Sequence, residues 1–195
     1  MKLGKWWRVS DVNASSETNQ FLMYSLTDLM SAFDESELME FLNTFKPVFD
    51  SSTGAFLKKN ALSMKKRDLS RTFIALSHDR QILGYVSLGI KCIKISDCEN
   101  LSKNTIKHLN VENGTQVAQS YLLGQLARSS DAPQGIGSKL MEFAFERVKI
   151  SEQNVRCHLI RLDCISDLIP YYESHGFRRI NKNSTGTLNQ MFAFV

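Results

Sequence analysis

Two stretches of this 195-residue chain carry residue types and spacings that can do chemistry. The first is Ala127-Arg128-Ser129-Ser130-Asp131-Ala132-Pro133-Gln134-Gly135-Ile136-Gly137-Ser138. The apolar run Tyr121 to Leu126 leads into it and reads as a buried strand, and Leu140 to Val148 leads out with helical spacing. A strand, a polar turn with two glycines and a helix together make an anion site. Free N–H groups at the helix start and the positive end of the helix dipole both attract phosphate. The backbone of Gln134, Gly135, Ile136, Gly137 and Ser138 is the expected cradle. The second stretch is basic: Lys58, Lys59, Lys65, Lys66 and Arg67 share one side of a helical segment. Such a side is by default a solvated face, with a surface for nucleic acid or a ligand phosphate as the alternative.

Other chemistries find less support. Cys92, Cys98, Cys157 and Cys164 form no C-x-x-C pair and have no histidine at zinc spacing, so they read as reduced thiols, with no metal expected. Asp163 falls at a strand end, where a structural hydrogen bond is the natural role, and His175 reads as a helix-end histidine favoured by the dipole.

The elements that must position these residues follow in order. Trp6 to Ser10 has the content of a short strand. From Ser16 to about Phe45 the spacing is helical, with Leu22, Leu26, Leu29 and Phe33 on one face. Asp34 and Glu37 make a capping box for a second helix, which carries Leu38, Phe41, Leu42 and Phe45 and stops at Pro47. The pair predicts an N-terminal helical hairpin. Asp50 to Thr53 can cap a third helix running to about Lys66. Arg71 to Leu76 and Ile82 to Ile90 predict an antiparallel hairpin, and Ser96 to Gly114 a polar excursion at the sheet edge. After the glycine turn and its helix come a buried strand from His158 to Cys164 and a short helix from Asp167, with Pro170 in its first turn. Gly176 is the expected left-handed residue past that helix, and two final strands follow. The fold class is α/β: a mixed sheet with a parallel strand–helix crossover at the glycine turn.

A length of 195 residues, 43% hydrophobic and 23% charged, suits one ordinary soluble domain rather than a disordered chain. No apolar run reaches the roughly 20 residues of a membrane span, and the N-terminus lacks a secretory pattern, so a cytoplasmic location is expected. The net charge of +4 suits anionic ligands such as CoA or RNA without selecting one.

Two separated motifs then point the same way. Gly135-Ile136-Gly137-Ser138-Lys139-Leu140 after a strand resembles the acyl-CoA-binding motif Q/R-x-x-G-x-G/A of the GNAT superfamily of N-acyltransferases. Tyr171-Tyr172-Glu173-Ser174-His175-Gly176-Phe177 resembles that superfamily's later Y-x-x-x-G-F segment. Over residues 50–195 the resemblance implies a GNAT-like, mostly antiparallel sheet, with residues 1–49 as a helical extension packed on it. A narrower likeness joins Phe56 to Ala61, Leu69 to Phe73 and Gly84 to Leu88 to the front half of GNAT toxins of toxin–antitoxin pairs, which acetylate aminoacyl-tRNA. Two positions depart from the pattern. Ala132 stands where the motif has Gln or Arg, and Ile165-Ser166-Asp167 replaces an Asn that often bonds pantetheine.

The resemblance implies acetyl-CoA as co-substrate and direct transfer to an amine. Leu126, Ala127 and Arg128 would offer backbone to pantetheine as a strand does, and Tyr172 would protonate the CoA sulfur, since a phenol of pKa near 10 suits a thiolate leaving group. No carboxylate stands out as a base. The acceptor stays open between a small amine and aminoacyl-tRNA, a homodimer stays open, and so does a degenerate GNAT domain that binds CoA in a regulatory role.

Overall fold

The computed structural model describes residues 21–48, 51–94, 102–109, 116–183 and 185–195. The strand expected at Trp6 to Ser10, the cap at Asp50, Cys98 and much of the excursion lie outside them. Seven strands form one sheet in the order β1-β2-β3-β6-β7-β9-β8. They are β1 (Phe21–Ser25), β2 (Ser70–Ser77), β3 (Ile82–Ile90), β6 (Tyr121–Arg128), β7 (Leu159–Cys164), β8 (Arg178–Lys182) and β9 (Asn189–Phe194). The β6–β7 pair is parallel, while β1–β2, β7–β9 and β8–β9 are antiparallel. Two further short strands, β4 (Ile93–Lys94) and β5 (Val117–Ala118), pair with each other. The chain divides into two compact units, Met1–Ser87 with Gln125–Glu142 and Leu88–Gly124 with Phe143–Val195, so β3 and β6 run from one into the other.

The first unit corrects one expectation. Phe21–Ser25, read as the start of a helix, is strand β1, paired with β2 from Phe21↔Ser77 to Ser25↔Phe73. Leu22 does keep helical spacing with Leu26, but Phe-Leu-Met-Tyr is a continuous apolar run whose period cannot separate strand from helix. Ser25 ends the strand and caps α1 (Leu26–Ala32), its Oγ accepting from the Asp28 N–H at 3.1 Å. In α2 (Glu35–Asn43) the capping box forms as expected, with the Asp34 N–H donating to Glu37 Oε2 at 3.3 Å. That helix stops at Asn43, short of Pro47, whose place is elsewhere. The third helix is α3 (Ser51–Ala55), a π-helical turn (Phe56–Asn60) and α4 (Ala61–Lys66). Leu26, Leu29, Leu38, Leu42, Phe45, Leu57, Ile74 and Tyr85 make the core beneath these helices. A smaller cluster of Ala75, Leu83, Ile136 and Leu140 seats the start of α6 (Ile136–Val155).

In the second unit Leu159, Ile180 and Phe192 pack with Ile93, Leu109 and Ala118. The excursion contributes α5 (Lys103–His108), capped by Ser102 Oγ, which accepts from the Thr105 N–H at 3.1 Å. A 3-10 turn (Ser166–Leu168) follows β7, so α7 begins only at Ile169 and ends at Ser174. Asp167 lies inside that turn and is not the helix N-cap, while Pro170 keeps a place where its missing N–H costs nothing. Gly176 has φ +85, the left-handed residue expected there.

Candidate active site

The candidate residues fall in both units, and each unit is described by itself. The glycine turn belongs to the first. Gly135 has φ +88, a conformation that glycine adopts without the Cβ penalty of other residues. It turns the chain so that Gln134 is exposed while the next residue, Ile136, is buried and anchors α6. The Gly135 carbonyl accepts the first intrahelical bond, from the Lys139 N–H at 3.2 Å, and the Ile136 N–H reaches only Pro133 O at 3.4 Å. The Gly137 and Ser138 N–H groups come too early in the helix to have an intrahelical acceptor, so they are donors for an anion. No acidic residue sits in that first turn to occupy the dipole. Ala132, at the position of the motif's long side chain, packs its methyl against the Ala75–Leu83–Ile136–Leu140 cluster. Its place in the core explains why no polar side chain projects there.

Strand β6 supplies the backbone leading into the turn. Its parallel pairing with β7 covers only Tyr121↔Ile160 and Leu122↔Arg161, although β6 runs on to Arg128 and β7 to Cys164. Beyond Leu122 that edge is not laddered to β7. Ser129 N–H donates to Leu83 O of β3 at 2.8 Å. Backbone groups of a strand alternate between its edges, so Arg128 and Leu126 turn theirs away from β3, and Ala127 turns its own toward β3. Of the three residues expected to meet pantetheine, Leu126 and Arg128 are the pair turned away from β3, and the Arg128 carbonyl there already accepts from the Val48 N–H at 3.2 Å.

Tyr172, the expected acid, lies in the second unit. Its ring is buried against Tyr171 and Phe177, with centroids 5.2 and 5.8 Å away. Its hydroxyl makes no hydrogen bond among the described residues and is not one of the enclosed polar atoms, whereas that of Tyr171 is enclosed. A packing tyrosine would tie its hydroxyl to backbone; this one leaves it available. Burial pushes its pKa well above the usual phenol value, with smaller contributions from Tyr171 and Cys164, so the phenol stays protonated at any physiological pH. The Phe177 N–H closes the helix onto Tyr172 O at 3.1 Å. Asn189, which sequence reasoning missed, fixes the turn before α7: its Nδ2 donates to Cys164 O at 3.4 Å and Ser166 Oγ at 3.2 Å. A lone Asn opening a final strand carries no sequence signal for that role.

The other titratable residues have structural partners. Asp163 accepts from Arg161 at 2.7 Å and lies 3.6 Å from Lys91 Nζ, so its carboxylate is committed to two cations. His175 Nδ1 sits 2.8 Å from Tyr171 O, with its ring centroid 4.6 Å from that of the tyrosine and tilted by 51°. Of the basic side, Lys66 pairs with Glu35 at 2.7 Å and Lys65 with Asp68 at 3.3 Å, whereas Lys59 and Arg67 are exposed and Lys58 half-buried. Among the described residues no group of three or more His, Cys, Asp or Glu is arranged to hold a metal, and no helix is long and apolar enough to cross a membrane.

The sequence matches no protein-family model and no curated protein. Its fold does have solved counterparts. A tyrosine-to-phenylalanine mutant of KacT superposes with a TM-score of 0.71 at 20% identity, over 90% of this chain and 95% of that one. AtaTR bound with acetyl-CoA gives 0.63 at 20% identity, over 90% and 93%. AtaT complexed with acetyl-methionyl-tRNA gives 0.63 at 22% identity, over 76% and 85%. The chain has the GNAT fold. AtaT and KacT are GNAT-fold toxins of toxin–antitoxin pairs. The match over 90% of the chain is wider than residues 50–195, so the fold likeness takes in part of the chain before residue 50.

Proposed function

We propose that this protein is an acetyl-CoA-dependent N-acetyltransferase. The observation that carries the reading is the glycine turn at Gly135, which opens an anion-ready helix start beyond the end of β6. The Leu126 backbone and the Arg128 N–H, turned away from β3, are offered to an extended pantetheine chain, as an edge strand offers itself to a peptide. The backbone N–H groups of Gly137 and Ser138 suit a pyrophosphate at the end of that chain. Bound acetyl-CoA would supply an activated acyl thioester.

The residues then divide the work. An N–H on the open edge of β6 stabilises charge developing on the thioester oxygen. Tyr172 donates a hydrogen bond to the sulfur as the C–S bond breaks and the N–C bond forms. Its raised pKa keeps that donor neutral but makes it a weaker acid than an ordinary phenol, so the proton that it passes to the sulfur is replaced by the one the attacking amine sheds, and the exchange is balanced without a net proton. The Y-x-x-x-G-F motif assigns Tyr172 to this place. Calorimetry with acetyl-CoA tests the reading: binding at micromolar to sub-millimolar cofactor is expected, and no heat at millimolar cofactor would sink it. Binding without turnover across amines and charged tRNAs would favour the regulatory CoA-binding module instead.

One observation favours a particular acceptor. Lys58, Lys59 and Arg67 keep cations on the helical face left over after Lys65 and Lys66 have paired. The structural neighbour AtaT was solved with acetyl-methionyl-tRNA. An aminoacyl ester has a weakly basic amine, which fits a site where Asp163 is committed to cations. If charged tRNA is the acceptor, replacing Lys58 and Lys59 by Gln weakens its binding and flattens the dependence of log K on log salt by about one to two units. An unchanged slope would remove this face from the proposal.

A further inference from the structure

We infer that Lys46-Pro47-Val48, the link between α2 and α3, is a positioning strap for the open edge of β6; the inference rests on the acetyl-CoA reading above. The strap lies antiparallel to the exit of β6. Val48 N–H donates to Arg128 O at 3.2 Å, Ser130 N–H donates to Lys46 O at 2.8 Å, and Pro47 stands opposite Ser129 in an isolated bridge. Both bonds use groups that face away from β3. The geometry explains the residue types. In an antiparallel bridge the central pair exchanges no bond of its own, so a proline there gives up nothing.

Local packing holds the strap in place. The Pro47 ring lies over Gly54, where an added Cβ would stand 3.0 Å from Pro47 Cγ and oblige the ring to give by a few tenths of an ångström. Tyr85 Oη donates to Thr53 O at 2.7 Å and pins the helix turn that carries Gly54. Phe45, immediately before the strap, is fully buried with its ring edge-on to Tyr85 at 5.4 Å. By contrast the Lys46–Asp131 ion pair, at 3.5 Å and well exposed, adds little. The other flank is open: Lys46, Ser129 and Asp131 line a cavity of about 680 Å³ with Glu37, Phe41 and Leu83. The strap is therefore held from one side only.

The consequence concerns the cofactor. By taking the Arg128 carbonyl and the Ser130 N–H, the strap leaves the Leu126 backbone and the Arg128 N–H as the free groups of that edge. It thereby sets where strand-like pairing with pantetheine stops and the path to the phosphate turn begins. Loosening the strap should cost affinity for the pantetheine arm and spare the phosphate cradle, which rests on Gly135 and the start of α6.

Val48→Pro deletes the donor to Arg128 O, and Val48→Ala keeps the donor as control. Titration calorimetry of the full chain with acetyl-CoA, and with adenosine 3′,5′-bisphosphate as a probe lacking pantetheine, reads the two parts separately. Val48→Pro should raise the Kd for acetyl-CoA about tenfold, the size of one lost backbone alignment, while the bisphosphate Kd and the melting temperature stay near those of Val48→Ala. Equal affinities in the Pro and Ala variants, or parallel loss of both ligands with a large fall in melting temperature, would overturn the inference. Should Val48→Pro fail to fold, Gly54→Ala pushes Pro47 off its seat and is read the same way. If the unaltered protein binds no acetyl-CoA, it is the cofactor reading that falls.

Discussion

Replacing Gly84 with alanine is a sharp test of how closely β3 and β6 must approach for the cofactor edge to stay in place. A Cβ built on Gly84 lies 2.7 Å from the Ala127 carbonyl oxygen, 2.7 Å from Leu140 Cδ1 and 3.3 Å from Arg128 Cα. Ordinary C···O approaches are about 3.3 Å or more, so the overlap with the carbonyl is roughly 0.6 Å. Leu140 can relieve its clash by rotating, though it is fully buried between Ala75, Leu83 and Ile136. The carbonyl belongs to the backbone of β6 and can yield only if the strand moves. Gly84 is not in the left-handed region, so alanine's restriction of the unfolded chain works in its favour, by about 0.4–1 kcal/mol. Overpacking in a filled core costs about 1–3 kcal/mol and wins. A net loss of about 1–2 kcal/mol in a chain of this size lowers the melting temperature by about 2–8 °C.

Function should suffer beyond that loss. Ala127 lies between Leu126 and Arg128, and a strand displaced by half an ångström misaligns both with an extended ligand. Scanning calorimetry and acetyl-CoA titration on the same preparations give the two numbers. The expected result is a moderately less stable protein whose Kd for acetyl-CoA rises several-fold at temperatures where it is fully folded. A variant melting within 1 °C of the parent and binding acetyl-CoA as tightly would refute the packing argument.

Two further outcomes follow. Tyr172→Phe deletes a hydroxyl with no hydrogen bond among the described residues and keeps the buried ring. Stability should change by no more than about 0.5 kcal/mol and acetyl-CoA affinity should hold, while the single-turnover rate falls about 10²-fold, the scale of a lost acid; a proportionate loss of affinity and rate would make the residue a packing element. Alkaline stability is the second. Burial raises the pKa of both Tyr85 and Tyr172 above the unfolded value near 10. Below pH 10 both states keep the protons and nothing changes. Above it the unfolded chain loses them first, so stability falls with pH, by at most about 1.4 kcal/mol per pH unit for each tyrosine. Denaturant melts between pH 9 and 11 on the parent and on Tyr172→Phe should show a shallower fall in the variant; identical slopes would count against Tyr172 as a contributor.

What the sequence made legible divides along physical lines. The glycine turn, its helix, Gly176 and the capping box at Asp34 were readable because each depends on local chemistry: a left-handed φ, a helix start, a side chain reaching three residues along. The strand at Phe21–Ser25 was not, since four apolar residues in a row fit either period and only the partner β2 decides between them. The short β6–β7 pairing, confined to Tyr121 and Leu122, is likewise a property of two strands 38 residues apart and is invisible in either alone. Ala132 shows the same thing from the other side. Read in line, it is a defect in a cofactor motif; in three dimensions it is a methyl group packed on Ile136 and Leu83, supporting a turn whose work is done by backbone. Pro47 read as a helix stop because proline usually is one, but the helix had already ended at Asn43, and Gly54 and Ser129 give the ring its position. For Ala132 and Pro47 the local rule picked out the residue and the long-range contact set its role. A search for the determinants of cofactor affinity in this chain should therefore begin with Gly54, Gly84 and Val48, outside the motif, because the motif's own amides are only as well placed as the strand that carries them.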